Sequence, residues 1–109
     1  MNTDLRKTAL TPERCRLVEL MQRINHGRIE GLTVGGGQPV FNPPPRVVRE
    51  IKFCGENGHR PELAIGDFAL KAEVTELFAQ MEAMGDGVIS SIQVQRGLPF
   101  KMTVEESLA

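Results

Sequence analysis

A chain of 109 residues, 40% hydrophobic and 25% charged, suffices for one small globular domain and is too short for two independent cores. It has no Trp or Tyr and only five Phe, which dictates an aliphatic core and removes most of the rings that stack on single-stranded bases. The net charge of −1 hides an asymmetry: residues 1–60 carry ten Lys and Arg against six Asp and Glu, whereas residues 61–109 carry three against eight.

The first ten residues, "MNTDLRKTAL", read as a polar flexible leader without the apolar run of a secretory signal. No stretch approaches the ~18 apolar residues of a membrane span. Two cysteines, Cys15 and Cys54, fit a reducing, cytoplasmic compartment. The domain is expected over 11–104: a first half at about 11–53, a loop at 54–66, a second half at about 67–104, and a loose tail at 105–109.

Thr11 supplies an N-cap oxygen, Pro12 suits the first helical position, and Glu13 complements the positive end of the dipole. Leu17, Val18, Met21 and Ile24 then recur at one-face spacing, with Leu20 widening the stripe, so the pattern predicts a helix over about 12–25. Gly27 is the expected left-handed residue after its end. "RIEGLTV" reads as a strand with Glu30, Leu32 and Val34 on one face and Ile29, Gly31 and Thr33 on the other.

Gly35 to Gly37 turn the chain and "QPVF" starts a return, which "NPPP" interrupts because proline cannot donate to a ladder. "RVVREIKF" reads as a third strand with Val47, Ile51 and Phe53 on one face, and "CGENGHRPELAIG" as a long loop. Asp67 is the expected cap of a second helix carrying Leu70, Val74, Leu77, Phe78 and Met81, extended by Met84 and ended by Gly85 and Gly87. "VISSIQV", a "QRG" turn and "LPFKMTV" complete a second hairpin, with Phe100, Met102 and Val104 on one face.

The two halves resemble each other. "LVELMQRI" lies over "VTELFAQM" at an offset of 57, and "GRIEGLTVGGGQP" over "GVISSIQVQRGLP" at 60, the three-residue shift falling between helix and strand. Seven of the twenty-one paired positions are identical, among them Gly37 with Gly97 and Pro39 with Pro99, which points to two related units. The expected fold is therefore α+β: two tandem helix-plus-β-hairpin units forming one antiparallel sheet with two helices on one face.

"LMQRINHGRIEGLTVGGGQPV" followed by "VREIKF" resembles the YezD-like family of small bacterial proteins, which have a short helix, a closing Gly, an alternating strand, a Gly turn and a return strand. The resemblance covers about residues 17–53 and departs at "NPPP". It implies the helix-plus-hairpin unit and no activity, cofactor or catalytic residue.

Motifs divide the functional readings. Gly35 to Gly37 lie between strands rather than before a helix, which suits a hairpin turn and not a phosphate cradle. "PPPR" lacks PxxP spacing with Pro39 and reads as an edge-strand breaker. Pro43, Pro44, Pro45, Arg46, Arg49 and Lys52 form the candidate binding surface. The leading expectation is a small non-enzymatic binding or assembly module with a protein partner or self-association. A second is a regulator touching nucleic acid through Arg46, Arg49 and Lys52 with Arg14, Arg16, Arg23 and Arg28. A third is a thiol or metal site around Cys54 and His59 in "CGENGH", for which the usual paired ligand clusters are missing. No catalytic residue, cofactor or metal is assigned.

Overall fold

The computed structural model of the chain describes residues 10–53 and 71–105. In chain order these form α1 (Pro12–Ile24), β1 (Gly27–Gly35), β2 (Gln38–Val40), β3 (Arg46–Arg49), α2 (Ala72–Met84), β4 (Gly87–Gln95) and β5 (Leu98–Val104). All strand pairs are antiparallel, in the order β2-β1-β4-β5 with β3 also on β1. The architecture is the α+β arrangement of two helix-plus-hairpin units in one sheet.

Each helix begins as its sequence allows. Thr11 is extended and its Oγ1 accepts the Arg14 N–H at 3.2 Å, while Pro12 opens the first turn and Glu13 follows it. Lys71 holds the same place before α2 and its side chain makes no capping bond. Asp67, the expected cap, and Leu70 lie outside the described residues, as does the "CGENGHRPELAIG" loop from Cys54 onward. At the other end Asn25 and Gly85 take the cap, with φ of 64° and 72°, and each cap N–H reaches a carbonyl four residues back. Gly27, expected in that role, instead opens β1 at φ 154°. A Cβ there would overlap the Val48 carbonyl oxygen of β3, so close approach of two strands is what demands glycine.

Leu17, Val18, Met21 and Ile24 of α1 and Val74, Leu77, Phe78 and Met81 of α2 are buried against Ile29, Leu32 and Val34 of β1 and Ile89, Ile92 and Val94 of β4. Truncating any of the Leu, Ile, Met or Phe side chains among these to alanine costs about 2–5 kcal/mol. The expected faces of β1 are corrected here, because Ile29 shares the core with Leu32 and Val34. Gly31, exposed with φ 69°, breaks the pleat and moves the inward set by one residue. β4 does the same across from it: Ile89 and Ile92 are buried with Ser90 and Ser91 between them.

The return lane of the first hairpin is split. β2 pairs with Thr33–Gly35 and β3 with Gly27–Glu30, both on the edge of β1 that β4 leaves open. The third strand expected over "RVVREIKF" is thus the resumption of the interrupted return, and it stops at Arg49. Val47 is 45% exposed, Ile51 58% and Phe53 94%, so these three do not line the core. β5 runs through uninterrupted except for irregularities, one of which places Phe100 as the extra residue between Pro99 and Lys101.

The central register maps one unit onto the other. Gly27 faces Val94 as Gly87 faces Val34, and Ile29 faces Ile92 as Ile89 faces Leu32. The helices obey the same offset of 60: Leu17, Val18 and Met21 hold the buried places of Leu77, Phe78 and Met81. The three-residue shift expected between helix and strand is therefore absent.

The turns lock the units together. Gly36 and Gly37 have φ of 58° and 77°, and Arg96 and Gly97 55° and 77°, as two-residue hairpin turns of the primed type require. The Gly37 N–H donates to the Gly85 carbonyl at 2.8 Å, and the Gly97 N–H to the Asn25 carbonyl at 2.9 Å. Each turn is thus bonded to the helix cap of the opposite unit.

Candidate functional site: a cleft beside the proline segment

Where β2 gives way to the prolines, the chain leaves the sheet and a cleft of about 530 Å³ opens between it and α1. Leu20 of α1 with Phe41, Pro44, Pro45 and Val47 supplies its apolar surface. Arg16, Glu19 and Arg23, one helical turn apart, form its charged wall. The Arg16 guanidinium lies 4.4 Å from the centre of the Phe41 ring, a cation–π contact that holds both side chains at the cleft mouth.

The cleft follows from the break in the lane. A ladder strand at 41–45 would press its side chains onto α1, whereas proline removes the N–H donors and releases the segment outward. Leu20 sits on the flank of the apolar stripe, half-buried, so the helix offers hydrophobic surface there without a strand to cover it.

The second unit has a smaller counterpart of about 150 Å³ between α2 and β5. Its helix wall is Glu73, Glu76 and Gln80, and its strand wall includes Phe100 and Lys101. At the offset of 60, Arg16 corresponds to Glu76 and Leu20 to Gln80. Phe100 stands 54% exposed at the edge of this groove.

The proposed binding surface is divided by the structure. Pro44 and Pro45 line the cleft, with Pro43 exposed just before them. Arg46 pairs with Glu30 across the sheet, on the side facing away from the helices, and its Nε lies 3.6 Å from the Glu30 carboxylate. Arg28 donates to the same carboxylate at 2.7 Å. The hydrogen bond from Arg28 is the main cause that holds Glu30 below the ordinary glutamate pKa; desolvation opposes it, and the positive charges of Arg28 and Arg46 add to the lowering. Arg49 and Lys52 are exposed beyond the cleft. Cys54 and His59 lie outside the described residues, and Cys15 is half-buried on α1.

The arginines do not converge. Arg16 and Arg23 serve the cleft, while Arg28 and Arg46 serve Glu30 on the other sheet face. Arg14 has a structural role: it donates to the Gly37 carbonyl at 3.2 Å and to Glu82 at 2.9 Å, with its guanidinium 5.1 Å from the Phe78 ring centre. It thereby ties α1 to the first turn and to α2. Among the described residues no group of three or more His, Cys, Asp or Glu is placed to hold a metal ion.

Sequence reasoning missed Arg16, Leu20, Arg23 and Phe41 as one site. Their only signal was a wide apolar stripe beside a strand that proline must interrupt. No helix among the described residues is long and apolar enough to cross a membrane. Comparison with known protein families, with curated proteins and with solved structures gives no match to this chain.

Proposed function

We propose that this protein is a small non-enzymatic binding module whose contact surface is the cleft between α1 and the proline segment. The observation that carries this reading is the cleft's composition: apolar residues from two elements, bounded by Arg16 and Arg23, next to a chain segment that proline keeps out of the sheet. Such a surface suits a protein segment that presents one apolar side chain and acidic neighbours.

We also read the two units as a duplication of one helix-plus-hairpin element, related to the YezD-like family, working in a reducing cytoplasm. The uniform offset of 60 and the reciprocal turn-to-cap bonds support the duplication. The nucleic-acid reading is the weaker one, because the arginines divide between two faces.

The test is an NMR titration with short acidic peptides carrying one central Phe, compared with a neutral control. Saturable shifts at Leu20, Phe41 and Val47, lost in Arg16→Glu/Arg23→Glu, support the reading. Binding to a mixed-sequence oligonucleotide and to none of the peptides would favour the nucleic-acid reading instead.

A further inference from the structure

The geometry points to a second copy of this chain as the occupant of the cleft, entering with the α2/β5 groove and its exposed Phe100. The inference rests on the cleft being a protein-binding surface and names its partner.

Three observations lead there. The first is charge. The helix wall of the cleft carries Arg16 and Arg23 around Glu19, and that of the groove carries Glu73 and Glu76 opposite Lys101. Two positive groups with one negative thus meet two negative with one positive, and Arg16 and Glu76 are equivalent positions of the two units with opposite sign. The chain-wide asymmetry, basic to residue 60 and acidic after it, has the same direction.

The second is Phe100. It is 54% exposed because it is the extra residue of the β5 irregularity, aimed out beside Glu73 and Glu76 rather than into the core. An exposed aromatic side chain anchors an interface when a partner's pocket buries it. The third is fit. The groove of the second unit, at about 150 Å³, is shallow, whereas the cleft at about 530 Å³ has room for a phenyl ring against Leu20, Pro44 and Val47. The two surfaces are unlike, so the contact is heterologous. Copies either close into a ring of two or more or extend as a chain.

Charge swapping tests this directly. Arg16→Glu/Arg23→Glu makes the cleft acidic, and Glu73→Lys/Glu76→Lys makes the groove basic. All four side chains are exposed or line the surface, and urea unfolding checks that each variant folds. Sedimentation equilibrium at low salt should show wild-type mass rising with concentration. Each variant alone should remain monomeric, and an equimolar mixture should associate again, because each pairing then joins opposite charges. Phe100→Ala should weaken self-association about tenfold or more. A wild-type protein that stays monomeric at millimolar concentration overturns the inference, as does association unaffected by either charge swap. If that monomer still binds the acidic Phe peptides at the cleft, the binding-module reading survives with another partner. If it binds none of them, both fall.

Discussion

Replacing Gly37 with alanine probes the joint between the two units. Gly37 has φ 77°, and an added Cβ would lie 3.3 Å from the Glu82 Cα of α2, a backbone atom that can retreat only if the turn or the helix moves. The left-handed conformation alone costs a non-glycine residue roughly 1–2 kcal/mol. Movement of the turn strains its hydrogen bond to the Gly85 carbonyl, now 2.8 Å long, and losing that bond adds about 0.5–1.5 kcal/mol. Gly36 is the internal control, because its φ of 58° carries the same conformational cost while nothing lies within 4 Å of its added Cβ. Gly36→Ala should therefore destabilise the domain by about 1–2 kcal/mol and Gly37→Ala by about 2–3 kcal/mol. Equilibrium urea unfolding followed by circular dichroism measures both, with equal denaturant slopes confirming a common unfolded state. If Gly37→Ala costs no more than Gly36→Ala, the turn is not packed on the opposite helix as described.

Gly27 and Gly87 correspond at the offset of 60 and differ in surroundings: a Cβ on Gly27 overlaps the Val48 carbonyl, whereas one on Gly87 meets the end of Met84 at 2.9 Å. Gly27→Ala should detach β3 and speed exchange of its amide hydrogens, while Gly87→Ala, strained at φ 157° but meeting only the movable end of Met84, should destabilise the domain less and leave β4 and β5 paired. Lys71→Ser should stabilise the domain by about 1 kcal/mol in thermal unfolding, since it gives α2 the side-chain cap that Thr11 gives α1. Thr11→Ala should remove a similar amount, and also the hydrogen bond its hydroxyl donates to Gln38 at 2.7 Å. Glu30, held below the usual glutamate pKa by Arg28, supports the fold above the unfolded-state value and loses that support as pH falls through its own lower value. A carboxylate NMR titration should place its midpoint below that of an exposed glutamate. Arg28→Met with Arg46→Met should return it to the ordinary range.

The cores of both helices were legible because their stripes answer to helix period, as were the two hairpins, whose turns fall at glycines 37 and 97. Strand faces were less so. Strict alternation assigns Ile29 to the side opposite Leu32, and only the positive φ of Gly31 brings both inward. The offset of 57 matched two identities in the helices, Glu19 with Glu76 and Leu20 with Leu77, yet tertiary packing aligns Leu17 with Leu77 and Met21 with Met81. Matching letters misled where the buried positions decide. The proline segment was rightly singled out as an interruption. That it leaves a cleft against α1, with Arg16 held on Phe41, depends on how a released segment passes over a neighbouring helix, which no local pattern encodes.

Contact at the cleft, and not on the open face of the sheet, is what the binding-module reading requires. Methyl and backbone NMR spectra recorded while protein concentration is raised at low salt separate the two. Shifts concentrated at Leu20, Phe41 and Val47 on one side and at Phe100 and Met102 on the other are the predicted result. Shifts concentrated instead at Thr33, Val40 and Val88, with the cleft residues unmoved, would contradict it.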